Sequence, residues 1–205
     1  MSGRAHPRDS AGLVLPDGSW PDGQGVAGAL EPVRRFCNTT NRENGADAWR
    51  STEELDRWLA REGYRLRPTR PADLRRLVTV RDATWQSIRT GSPEPIAAVA
   101  GTVTFGVAVV DSRIELVPAD DSVEGVVAGL VLRIHDAERA GTFSRLRSCA
   151  HCRWVFFDTS RNRTGRWCSM QACGGREKAK AYRRRRARGE DHPASSRAGH
   201  GTGVR

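Results

Sequence analysis

Four cysteines in the last third of the chain have the type and spacing of a metal site. Cys149 and Cys152, then Cys168 and Cys173, form the pattern C-x2-C-x15-C-x4-C. Two close pairs of thiolates separated by about 15 residues suit one tetrahedral zinc ion. Four protein ligands close the coordination sphere, so such an ion is structural; a catalytic zinc keeps a position open for water. His151 is the competing ligand nearby, and its place between two cysteines makes it a poor one. Two disulfides are the other reading of four cysteines, and they require an oxidising compartment. The first 30 residues are rich in Gly, Pro and Asp and show no apolar leader, so the expected compartment is the cytosol.

The second chemistry is electrostatic. Residues 141–205 carry 16 Lys+Arg and 4 Asp+Glu, whereas residues 1–140 carry 18 and 20. The net charge of +10 therefore belongs to the C-terminal third and implies a local anionic partner. Beyond Cys173, Arg176, Lys180, Arg184 and Arg188 recur at four-residue spacing, along one stripe of a helix. Arg183 and Arg185 flank that stripe, and Lys178 and Arg186 add charge. Arg161, Arg163 and Arg166 lie between the two cysteine pairs. These side chains form the candidate nucleic-acid-binding set; the bland alternative is a solvated basic face with no target. If about five of them neutralise duplex phosphates, the log–log salt slope of binding is near −4 to −5.

The elements that must hold these residues read as follows. Residues 1–30 and the tail from Gly189 are expected to be disordered. From Glu31, Val33, Phe36 and Cys37 share a helical face that ends at Asn38-Thr39, with Cys37 a small core residue. Ser51 and Glu54 suggest a capping box opening a helix with the stripe Leu55, Trp58 and Leu59. Pro71 opens a longer helix with Leu74, Leu77, Val78, Arg81, Trp85 and Ile88 at helical spacing, and a short piece follows over Pro95 to Ala100. Thr102 to Val109 and Ile114 to Val117, across Asp111-Ser112-Arg113, predict a hairpin. Ser122 to Ala140 is helical again, with His135 an ordinary residue of that helix. Trp154 to Phe157 is then a strand supporting the first cysteine pair, and Cys173 sits at the start of the basic helix. The expected class is α+β: a mainly helical N-terminal domain (31–146) with a small β-hairpin, followed by a small zinc-stapled finger (147–188) of hairpin knuckle and basic helix.

Ser148-Cys149-Ala150-His151-Cys152-Arg153-Trp154-Val155-Phe156-Phe157-Asp158-Thr159-Ser160-Arg161-Asn162, with Gly165-Arg166-Trp167-Cys168-Ser169-Met170 and Cys173-Gly174-Gly175-Arg176, resembles the CGNR zinc finger of actinobacterial regulators. The preceding part is similar to their N-terminal partner, the ABATE domain, through Phe36-Cys37-Asn38-Thr39, the Thr52-Glu53-Glu54-Leu55 helix start and the hairpin-then-helix order. The resemblance implies a stress-responsive transcriptional regulator, with zinc held by Cys149, Cys152, Cys168 and Cys173 and DNA met by the helix from Arg176. One position departs: the signature Asn after Cys-Gly is Gly175, which offers no side-chain bond.

The leading expectation is thus a zinc-dependent DNA-binding regulator of the cytoplasm and nucleoid, with one Zn2+ per chain. Binding of RNA or the ribosome by the same finger, and a protein-interaction scaffold with a basic tail, are the alternatives. Homodimerisation and a small effector, in a pocket lined by Trp49, Trp58 or Trp85, are further expectations for the N-terminal domain; each tryptophan alone reads as core. No enzyme is expected, since the zinc deaminase, G-x-S-x-G, P-loop and H-E-x-x-H patterns are missing. No apolar run approaches the roughly 18 residues of a membrane span.

Overall fold

The computed structural model describes residues 28–101 and 103–188. The expected tails lie outside the described residues, except Gly28–Leu30. These three form a 3-10 turn with Leu30 buried, so the helical domain includes residues ahead of Glu31. Six helices and two antiparallel hairpins follow among the described residues: α1 (Glu31–Cys37), α2 (Thr52–Arg61), α3 (Pro71–Thr90), α4 (Glu94–Ala100), β1 (Phe105–Val110), β2 (Arg113–Pro118), α5 (Val123–Arg139), β3 (Leu146–Ser148), β4 (Val155–Phe157) and α6 (Gly175–Ala187). The fold is α+β and mainly helical. None of these helices is long and apolar enough to cross a membrane.

Local chemistry accounts for most of the boundaries. Ser51 caps α2 by accepting from the Glu54 N–H, a bond of roughly 1 kcal/mol. The expected capping box is only half made. Glu54 takes the Arg50 N–H and the Arg50 guanidinium at 2.8 and 2.6 Å, instead of reaching back to Ser51. Gly91, in the left-handed region at φ 73°, ends α3. Ser122 caps α5 through the N–H groups of Glu124 and Gly125.

The hairpin differs from its expected bounds. Its turn is two residues, Asp111 and Ser112, both at positive φ, and Arg113 belongs to the strand. Two successive left-handed residues give the turn twist that matches a β-ribbon.

The core gathers α1, α3 and α5, with α2 and α4 closing its sides. Phe36, Trp49 and Trp58 form an aromatic triad with centroids 5.0–6.0 Å apart. Trp49 and Trp58 are therefore core, as single tryptophans usually are, and Trp58 also lines a 140 Å³ pocket with Glu62, Tyr64 and Arg133. α5 is buried nearly all round in its first half because Gly125 and Gly129 admit the chain at Asp120 and Pro118. Arg81 stands in the apolar stripe of α3, yet it is buried. It pairs with Asp47 at 2.6 and 2.9 Å and lies over the Trp49 ring. A guanidinium is tolerated there because its charge and its flat face are both partnered.

Candidate metal centre and its basic helix

β3 and β4 pair over three residues and carry the first cysteine pair at their end. The Cys149 N–H bonds the Trp154 carbonyl, and the Arg153 N–H returns to Cys149. Arg153 closes this knuckle at φ 63°, a conformation that favours glycine. The Ala150 N–H bonds Arg166 O, bringing the second arm alongside. Cys168 follows at once. Ser169 then caps a π-helical turn, Met170–Gly174, by accepting from the Ala172 N–H. That turn absorbs the x4 spacing and places Cys173 inward, two residues before α6 begins.

All four cysteines are buried, and their sulfurs lie within 4.8 Å of one another. Two edges measure 3.5 Å (Cys152–Cys168) and 3.8 Å (Cys168–Cys173). A tetrahedral zinc–thiolate centre with bonds of about 2.3 Å has sulfur–sulfur edges of about 3.8 Å. A disulfide needs about 2.05 Å. The four residues therefore fit one zinc ion. Cys149 is driven far below the usual thiol range by hydrogen bonds with Cys152, then Cys168 and Cys173. Cys168 is pushed above it, first by its hydrogen bond with Cys149. Zinc would bind the four cysteines as thiolates and release their protons.

His151 does not join the cluster. Its Nδ1 lies 2.8 Å from Glu177 Oε1 and its Nε2 4.0 Å from Glu43. The hydrogen bond to His151 is the main reason Glu177 sits below the usual carboxylate range. An acidic residue in the first turn of α6 also complements the helix dipole. His151 thus ties the knuckle to the basic helix. His135, by contrast, is exposed on α5.

The basic side chains divide into three groups. Lys178, Lys180, Arg183, Arg184, Arg185 and Arg186 lie exposed along α6, which buries no residue of its own. Arg176, at the root of α6, is half-buried. In the loop, Arg161 and Arg166 are exposed, and Arg166 stacks on Trp167 at 5.1 Å. Arg163 is exposed too, yet it has structural work: its guanidinium donates to Ser144 and its carbonyl accepts from Arg147. Asp158 holds this loop, accepting the Ser160 N–H at 2.9 Å and the Gly165 N–H at 2.7 Å. Burial pushes the Asp158 carboxyl up, but bonds from Ser160 and Gly165 outweigh it and hold it down.

Two residues that bind the finger to the rest of the chain, Asn38 and Trp85, read in the sequence only as a helix end and a core position, and Asp158, which read as turn material, holds the finger's own loop. Asn38 makes two hydrogen bonds to Val155, and the Trp85 indole N–H donates to the Arg153 carbonyl at 3.0 Å. Leu146 and Val155 belong to the core of the helical body. Asn38 lies in the Phe36-Cys37-Asn38-Thr39 stretch, so its signal was visible, but only as a helix end.

These features define a small zinc-binding finger on a cysteine quartet, with a basic helix leaving the last ligand. Residues 145–186 match the CGNR zinc finger family. No curated protein matches the chain.

Proposed function

We propose that the protein is a zinc-dependent DNA-binding transcriptional regulator whose α6 meets the duplex. The observation that carries this reading is the exposure of α6. Its basic side chains project from the metal-anchored turn on which the helix packs, and Glu177 in its first turn is held by His151. An isolated helix of this length is marginal in water, and like charges three and four residues apart weaken it further. A phosphate backbone supplies the opposite charge and orders it. Arg161 and Arg166 extend the same charge into the loop.

On this reading the helical body is the ABATE-like regulatory domain of a stress-responsive factor, resident in the cytoplasm and nucleoid, with no enzymatic role. It orients the finger, because β4 is part of its core. The test is equilibrium binding to duplex DNA over a salt series. Replacing Arg183, Arg184, Arg185 and Arg186 by alanine is expected to weaken binding and reduce the slope by up to about four. Unchanged affinity and slope refute the role given to α6. Preference for single-stranded RNA over duplex in the same assay would instead establish the RNA-binding reading. Genome-wide mapping of bound sites then identifies the target.

A further inference from the structure

The hairpin β1–β2 carries its large side chains on the outside. Its register pairs Val109 with Ile114, Val107 with Leu116, and Phe105 with Pro118. Side chains alternate along a strand and directly paired residues share a face. Phe105, Val107, Val109, Ile114, Leu116 and Pro118 therefore line one face. The exposures are 69% for Val107, 75% for Val109, 78% for Ile114 and 55% for Leu116. The other face bears Gly106, Ala108 and Val117, which are half-buried, and, towards the turn, Val110, Arg113 and Glu115, which are exposed; β2 packs on α5. At the base of the hairpin Gly106, Ala108 and Val117 thus turn towards the body, while the continuous large apolar face is left in water, the reverse of a solvated hairpin.

We infer that this face is a homodimer interface, packed against the same face of a second copy across a two-fold axis. The area fits that occupant. The face exposes on the order of 600 Å² of apolar surface, more than scattered surface residues account for. Burying it on two copies removes about 1,200 Å², the lower bound of a stable specific interface. An apolar, charge-free patch is complementary to itself, as a two-fold contact requires. Charge does not oppose the pairing either. Residues 1–140 carry 18 basic and 20 acidic side chains, and the strongly basic surface belongs to the finger. Two-stranded sheets also gain most from a second sheet stacked about 10 Å away, since a lone hairpin is marginal.

This inference extends beyond DNA binding and does not depend on it. Its test is sedimentation equilibrium of the full-length, zinc-loaded chain in the absence of nucleic acid. The expected mass at tens of micromolar is that of two chains. The double variant Val109→Glu/Ile114→Glu is expected to weigh one chain, with circular dichroism and zinc content unchanged. Should the double variant lose its circular dichroism, Ile114→Lys alone, at the most exposed position, makes the same comparison. A wild-type chain that stays single overturns the inference, including the case in which the hairpin instead binds a different protein. A dimer that survives the substitutions with its affinity reduced less than tenfold also overturns it.

Discussion

Asn38 and Val155, 117 positions apart, are joined by two buried hydrogen bonds. The Asn38 amide donates to the Val155 carbonyl at 2.8 Å and accepts the Val155 N–H at 2.9 Å. A side-chain amide thereby serves β4 as a neighbouring strand would. It satisfies both polar groups of a residue whose side chain is in the core of the helical body. The zinc finger is held in orientation by this pair and by the Trp85 bond to Arg153.

Asn38→Leu is therefore expected to be costly. It orphans a buried N–H and a buried carbonyl, at about 1–3 kcal/mol each. Chemical denaturation should show a loss of roughly 2–5 kcal/mol. A loss under 1 kcal/mol would mean that the bonds do not hold the finger.

Metal and thiol chemistry separate the five cysteines. Metal analysis of the purified chain should find about one zinc. In the zinc-loaded native protein no cysteine should react readily with a thiol reagent. Chelation should expose Cys149, Cys152, Cys168 and Cys173 but leave Cys37 protected until the fold is lost. Cys37 is fully buried, and burial pushes its thiol up to about 12, with Arg42 and Arg81 opposing. Rapid native labelling of Cys37 contradicts this.

The same thiol gives a pH dependence. Cys37 binds its proton more tightly folded than unfolded, so the unfolded chain ionises first as pH rises. Its contribution is intact below the ordinary value of 9.0 and is lost as pH climbs towards about 12. Cys37→Ala should flatten the alkaline limb of stability, at a fixed cost for the small cavity. An alkaline limb equally steep in the variant assigns it to other groups.

Gly125 and Gly129 should behave oppositely. A Cβ at Gly125 would overlap the backbone carbonyl of Asp120, whereas one at Gly129 would meet Pro118 Cγ at an ordinary 3.6 Å. Gly125→Ala should destabilise by about 2 kcal/mol or more, through strain that only a backbone shift relieves. Gly129→Ala should stabilise by up to about 1 kcal/mol through helix propensity. Equal effects in thermal melts would refute the close approach.

Gly175 has room for the Asn that the resemblance places after Cys-Gly. Its backbone is helical at φ −61°, and a Cβ would meet nothing nearer than Met170 O at 4.0 Å. Gly175→Asn should gain a few tenths of a kcal/mol and leave zinc content unchanged. Tighter DNA binding with the same salt slope would then place the amide on a base or sugar edge.

The metal site and the secondary structure were largely legible in the sequence. Ligand spacing, helix stripes, proline starts and the hairpin turn are local properties that short stretches of chain decide. The cysteines were legible as a set because few other arrangements suit four thiols at that spacing. The N-cap at Ser51 was legible, but not the return bond of its capping box, since sequence cannot say whether Glu54 prefers the Arg50 or the Ser51 N–H when Arg50 also offers its charge.

Tertiary structure alone decided what each residue faces. Alternation along β1 and β2 marks two faces but not which one the body covers; α5 settles that and leaves Val107, Val109, Ile114 and Leu116 in water. Arg81 in an apolar stripe made sense only once Asp47 and Trp49 closed around it. Asn38 became a strand partner only when Val155 came within reach from across the chain. Periodicity and spacing are short-range signals, whereas the Arg81–Asp47 and Asn38–Val155 pairings join residues 34 and 117 positions apart, where only the packed core selects the partner.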